Sequence, residues 1–252
     1  MKLGIMQPYF FPYLGHFALI AAVDEWVVFD VTQYTPKTWM NRNRILHPQQ
    51  GWQYVTVPLA NSSMTIRTHE ARVLDLANAK SGLLGKLSAF RRRAPFHAQV
   101  HELVEKTFEH AASDSLCDLN VSGLKTVCEY LGTPFSYRVC SEMDLKFPQQ
   151  MSPGDWAPFI CEALGATQYV NPSSGRALFD PASFARVGTE LMFAEFEAFT
   201  YDTPFYKFEP HLSILDVLLW NSPAEINEAL RSHLTLVSAE TAEAAERRES
   251  VS

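Results

Sequence analysis

The chain has 252 residues, 47% of them hydrophobic and 19% charged, with a formal net charge of −7. That length suits one large folded domain or two small ones, and the negative charge argues against a general nucleic-acid partner, because phosphate backbones select basic surfaces. The four cysteines, Cys117, Cys128, Cys140 and Cys161, stand apart without a CxxC pair, which indicates buried thiols in a reducing compartment rather than a disulfide framework or a metal cage.

Leu3 to Met6 is a short apolar run closed by Gln7-Pro8, the pattern of a buried strand. Leu14 to Val23 follows with helical character, and Trp26 to Phe29 is a second β-type run ended by Asp30. Strand, helix and strand within about 30 residues predict a βαβ unit and a parallel sheet. Asn43 to Leu46 and Gln53 to Leu59 read as further strands, joined by the turn from His47-Pro48 to Gly51. Helices are expected at 79–92, 95–112 and 116–131, the last capped by Asp114 or Ser115 and stopped by Gly132. A strand at Phe135 to Val139, a helix at Trp156 to Leu164 closed by Gly165, strands at Gln168 to Val170 and Leu191 to Phe193, and an almost wholly apolar helix at Leu212 to Trp220 complete the pattern. This alternation predicts an α/β fold, a Rossmann-like parallel sheet with helices on both faces, in one domain over 1–237. From 238 to 252 the chain is polar and rich in Ala, Glu and Arg, a tail expected to be disordered or a frayed helix. No run of about 18 apolar residues is present, so no membrane span is expected. The apolar N-terminal stretch is interrupted by Gln7, Pro8, Pro12, Gly15 and His16, unlike a signal peptide, and a cytoplasmic location is expected.

In an open parallel sheet, ligands bind beyond the carboxyl ends of the strands. There the aromatic and proline-rich segment from Gln7 to His16 leaves the first strand. Gly15 would let a ligand approach a helix N-terminus, whose free N–H groups attract anions, and His16 could donate to a phosphate or leaving group. Asp30, at the end of the second strand, is expected to face the same crevice as Gln7 and His16. Within Thr38-Trp39-Met40-Asn41-Arg42-Asn43-Arg44, an extended backbone puts Arg42 and Arg44 on one face. Such a pair suits phosphate or carboxylate, although it serves equally in surface ion pairs. The loop from Asn171 to Arg176 follows a strand and offers hydroxyls and a cation. Ser213 and Asp216, three apart at the start of an apolar helix, read first as a capping box. His97 and His101 have i,i+4 spacing but lack the glutamate of an HExxH motif, so no metal is expected. Arg91-Arg92-Arg93 reads as a solvated helix end complementing the helix dipole.

The stretches Met6-Gln7-Pro8, Pro12-Tyr13-Leu14-Gly15, Asp24, Asp30, Gln33-Tyr34, Trp39, Arg42-Asn43-Arg44-Ile45, Thr56-Val57-Pro58, Ala94-Pro95-Phe96, Tyr169 to Pro172, Pro204-Phe205-Tyr206 and Leu212 to Asn221 resemble, in this order, the WbqC-like protein family over roughly residues 3–232. The resemblance implies a part in bacterial surface-polysaccharide assembly of the O-antigen or lipopolysaccharide type. It implies an enzyme that transfers an acyl or aminoacyl group, often glycine, to the amine of a sugar nucleotide. A thioester donor, carried in some cases by an acyl carrier protein, would go with that chemistry. On this reading His16 is the acid, base or phosphate donor and Asp30 an orienting carboxylate. Gln7, Tyr9, Gly15, Gln33, Trp39, Arg42, Asn43, Arg44, Asn171, Ser174, Arg176, Tyr206, Ser213 and Asp216 would bind substrate. His16 stands where the family usually has an aromatic residue, and Lys207 where it has glutamine. Residues 3–34 are also similar to the start of nucleotidyltransferase-superfamily folds, including pantothenate synthetases, through Gly15-His16 and Gln33-Tyr34, with Tyr13 in place of that superfamily's first histidine. This second similarity implies nucleotidyl transfer or ATP-dependent amide ligation. A non-enzymatic assembly factor that binds sugar nucleotides is the third reading.

Overall fold

The computed structural model describes residues 1–242, and six strands among them form its central sheet. Strand β1 (Lys2–Met6) leads through helix α1 (Leu14–Ala21) to β2 (Glu25–Val28), which pairs parallel with β1 in the register Leu3 to Glu25. A hairpin of β3 (Arg42–Leu46) and β4 (Trp52–Thr56) stands outside this sheet. Helices α2 (Leu76–Leu87), α3 (His97–Glu109) and α4 (Leu116–Leu131) follow. The chain returns to the sheet through β5 (Tyr137–Val139), α5 (Trp156–Leu164), β6 (Gln168–Pro172), α6 (Pro181–Ala185) and β7 (Glu190–Phe196). Helices α7 (Ile214–Trp220) and α8 (Pro223–Ser232) and the strand β8 (Leu234–Ser238) complete the described elements. The order across the sheet is β5-β2-β1-β6-β7-β8, parallel except for the β7–β8 pair. Chain progress therefore runs outward from β1 in one direction and then, from β6, in the other. The gap between β1 and β6 is the topological switch point of a Rossmann-like sheet.

Alternation along the strands divides the core into two layers. Trp26, Val28, Val170 and Ala194 face the layer of α1, α3, α4, α7 and α8, while Leu3, Ile5, Val27, Tyr169, Leu191 and Phe193 face α5 and α6. Gly4 makes room for this packing, because a Cβ there would meet the Trp26 ring at 2.8 Å. Helices α4 and α5 stop at Gly132 and Gly165, whose φ of 68° and 65° lets the next amides bond back to Cys128 and Cys161. At the start of α4 it is Ser115, not Asp114, that caps, accepting from the Asp118 amide at 3.3 Å.

Three elements go beyond the sequence expectation. Helix α6 is one and a half turns on an Asp180 cap. Helix α8 carries a full capping box, with Ser222 and Glu225 exchanging side-chain to backbone bonds around Pro223. Strand β8 pairs antiparallel along β7 from Met192–Ser238 to Phe196–Leu234. The expected polar tail begins as helix at 239–242, where Ala239 and Ala242 are buried against the α5 layer; its remainder lies outside the described residues.

Candidate functional site

Two cavities open at the carboxyl edge of the sheet, one on each face of the switch point, with Tyr9 in the wall of both. On the α1 face a cavity of about 310 Å³ is bounded by Tyr13, Pro172, Ser173, Ser174, Phe196 and His211, and is closed from the hairpin side by Trp39, Asn43 and Arg44. On the α5 face a cavity of about 330 Å³ is walled by Phe29, Trp156, Leu178 and Phe179, with the amides of Gln7 and Asn171 and the Thr32 hydroxyl as its polar groups. The Gln7 amide donates to Thr32 Oγ1 at 3.2 Å, which fixes it at the lip. Asn171 accepts from the buried Tyr169 hydroxyl at 2.9 Å and donates to the Pro172 carbonyl. A Cβ on Gly175 would collide with the same amide, so the loop closes tightly over Asn171 only because residue 175 is glycine.

The charged group of the first cavity is Arg44. Its guanidinium lies between the Trp39 and Trp52 rings, 5.4 and 5.1 Å from their centroids, and donates to the His211 carbonyl at 3.3 Å. Stacking on aromatic faces orients a guanidinium without neutralising it, and among the described residues no carboxylate pairs with it. Arg42 shares that face of β3 but lies over Tyr54 at 4.3 Å, outside the cavity wall. Burial raises the Tyr9 and Tyr13 hydroxyls above the usual phenol range, so both remain protonated donors at neutral pH.

The expected convergence of Gln7, His16 and Asp30 on one crevice is replaced by a different arrangement, in which Gln7 alone lines a cavity. His16 lies inside the apolar layer, 2% exposed, with its ring 5.0 Å from Trp26 and 5.7 Å from Tyr9. Burial lowers its pKa to about 3, so the ring is neutral, and its Nε2 has no partner among the described residues. The anion site expected at the start of α1 is covered, because Gly15 lies buried beneath the Tyr13 ring and beside Phe196. Asp30 is 1% exposed and engaged inward, accepting from the Ser141 amide at 2.9 Å and hydroxyl at 2.6 Å and from Cys117. It ties the end of β2 to the segment after β5.

The remaining expected binding residues divide in the same way. Tyr9, Trp39, Asn43, Arg44, Ser174 and Asn171 reach a cavity. Asn43 does so with its amide already committed, donating to the Phe10 and Phe11 carbonyls at 3.1 and 2.8 Å. Gln33 is exposed and donates to the Met64 carbonyl. Arg176 pairs with Glu195 and lies over Phe193. Tyr206 packs on Phe90 and Trp220 and borders a separate cleft. Ser213 caps α7 by accepting from the Leu215 amide and donates to the Phe11 carbonyl at 2.7 Å. The reading of Ser213 and Asp216 as a capping box is corrected by the path of the carboxylate. Asp216 is fully buried and accepts from the Leu46 amide and the Tyr201 hydroxyl, both at 2.9 Å.

Lining residues that the sequence reading did not single out include Phe29, Thr32, Trp156, Leu178, Phe179, Phe196 and His211. Phe29 was visible as the end of the second strand, and Trp156 as the first residue of a helix. His211 lies two residues before the Ser213 cap, on the approach to α7. No metal-binding group of side chains exists among the described residues, and no helix there is long and apolar enough to cross a membrane.

The profile of the WbqC-like protein family matches residues 7–228, which include β1's exit loop and the hairpin. Uncharacterized protein Rv1507c of Mycobacterium tuberculosis is 29% identical over 231 residues, covering 91% of this chain and 97% of that protein. No solved structure matches. The chain belongs to the WbqC-like protein family.

Proposed function

We propose that the protein is a sugar-nucleotide-modifying transferase of surface-polysaccharide assembly, joining an acyl or aminoacyl group to the amine of an amino sugar. The observation that carries this reading is the pair of cavities meeting at Tyr9 over the switch point. A transfer between two substrates needs two adjoining sites of different character. The aromatic cavity beside Phe29 and Trp156 suits a flat or apolar group, with the Gln7 and Asn171 amides for its polar edge. The Arg44 cavity suits a phosphate or carboxylate. In the reaction the sugar amine attacks a thioester carbonyl, the C–N bond forms, the C–S bond breaks, and the thiol leaves with the amine's proton. With His16 and Asp30 held in the interior, His211 is the imidazole at the cavity wall able to relay that proton. Tyr9 and Tyr13 are donors for the developing oxyanion.

The test is acylation of an amino-sugar nucleotide by acyl and aminoacyl thioesters, with product followed by mass. Arg44→Lys keeps the charge but loses the planar fork. It is expected to weaken sugar-nucleotide binding by about tenfold or more, while the melting temperature stays near that of the wild type. Product only with ATP, accompanied by pyrophosphate release, would move the assignment to amide ligation. Saturable binding without product from any donor would move it to an assembly factor.

A further inference from the structure

The turn at 91–93, expected to be a solvated helix end, is built into a cleft apart from the two cavities at Tyr9. This cleft of about 570 Å³ is lined by Pro48, Ser88, Ala89, the three arginines and Tyr206. Arg91, Arg92 and Arg93 are all exposed, and among the described residues no carboxylate pairs with any of them. In a chain of net charge −7 this is a local concentration of uncompensated positive charge. Arg93 is held in place, its guanidinium lying 4.9 Å from the Phe205 ring centroid and 5.3 Å from that of Tyr206. Both rings come from a turn that Thr203 locks, accepting from the Tyr206 amide at 2.9 Å and donating to the Tyr206 carbonyl at 3.1 Å.

Phe205 is the second, independent observation. It is 79% exposed and sits at φ 76°, in the left-handed region. An apolar ring in water and a left-handed non-glycine backbone are both unfavourable. Neither cost is offset by packing of the ring into the protein. The turn instead displays Phe205 beside an oriented guanidinium, at the rim of a cleft whose other charged groups are also arginines.

We propose that this cleft is a binding site for the diphosphate group of a phosphorylated ligand, with Phe205 covering the organic group attached to it. Three guanidiniums in sequence match two linked phosphates better than a single carboxylate, since forked N–H pairs can engage several phosphate oxygens at once. The cleft shares no lining residue with the two cavities at Tyr9. The diphosphate can belong to a free nucleotide or to a lipid headgroup.

Calorimetric titration with inorganic pyrophosphate tests the assignment in the wild type, in Arg44→Gln, which removes the crevice cation, and in Arg92→Gln/Arg93→Gln. Pyrophosphate binding should persist in Arg44→Gln and weaken by about tenfold or more in the double variant. It should also fall as salt is raised. Circular dichroism of the double variant should match the wild type, because both positions are exposed. Tighter binding of uridine diphosphate than of pyrophosphate, lost in Phe205→Ala, supports the free nucleotide as the source. Retention on phosphatidylcholine vesicles carrying a diphosphate lipid, and not on plain ones, supports the lipid. Pyrophosphate binding that disappears in Arg44→Gln and survives in the double variant overturns the proposal while leaving the crevice intact. Absence of binding to the wild type at millimolar pyrophosphate overturns it as well.

Discussion

His16 and Asp216 are both fully buried titratable groups, and they bias stability with opposite signs. Burial drops the His16 pKa from 6.5 to about 3, so folding favours the neutral ring. That contribution is present above pH 6.5 and is lost as pH falls toward 3. Burial raises Asp216 from 3.8 to about 6, against the lowering effect of the Leu46 and Tyr201 bonds. A raised carboxyl favours the protonated form, so its contribution is present below pH 3.8 and is lost as pH rises through 6. Between pH 4 and 6 the two partly cancel in the wild type. His16→Phe keeps a ring against Trp26 and removes one side of this balance. By pH 5 the wild type should have lost about 2 kcal/mol that the variant retains, at 1.36 kcal/mol per pKa unit. Chemical denaturation of both proteins from pH 7.5 to 4.5 measures it, and parallel curves would mean that His16 is solvated. The burial of this histidine was not legible in the sequence. Gly15-His16 sits where an open helix N-terminus is expected, and the folding of Tyr9, Phe17 and Trp26 around it encloses the ring.

The loop between β1 and α1 depends on two elements distant in sequence. Phe11 has φ 39°, a strained value for an aromatic residue, and its carbonyl accepts from Asn43 on β3 at 2.8 Å and from Ser213 at the cap of α7 at 2.7 Å. Asn43 and Ser213 therefore share an acceptor, and their effects should couple. Asn43→Ala and Ser213→Ala are each expected to cost about 1–3 kcal/mol. The double variant should depart from the sum of the two by at least about 0.5 kcal/mol, as for residues in one hydrogen-bond network. Additive losses in urea melts would show that the two anchors act separately. Element existence was far more readable than this linkage. Apolar runs and turn residues disclosed β1, α1, β2 and the hairpin. The Ser222-Pro223-Ala224-Glu225 signature of α8 is a capping box written in the local sequence. Strand β8 is harder, because its alternation is short and adjoins a charged stretch. That Asn43 brackets the Phe10 and Phe11 carbonyls depends on which backbone approaches it, and no local pattern encodes that.

At the scale of the whole molecule, the α/β class and its parallel sheet followed from strand–helix alternation, whereas the strand order that sets the switch point between β1 and β6 did not. The residues lining the crevice did not follow, because they arrive from the β1 exit loop, the hairpin, the β6 loop and the approach to α7 together. The same order has a kinetic consequence. The strand earliest in the chain occupies the middle of the sheet, and its second neighbour arrives only when Lys2 meets Gln168. Local assembly of β1, α1 and β2 leaves one edge of β1 unpaired until most of the protein has been made. Refolding from urea should therefore be slow for a chain of this size and pass through an intermediate that binds a hydrophobic dye, because long-range pairing must precede closure of the apolar layers. Stopped-flow fluorescence would detect it, and a single fast phase with no dye signal would rule it out. During synthesis, that edge offers a row of unpaired backbone groups on which a second copy of the chain can pair before β6 arrives.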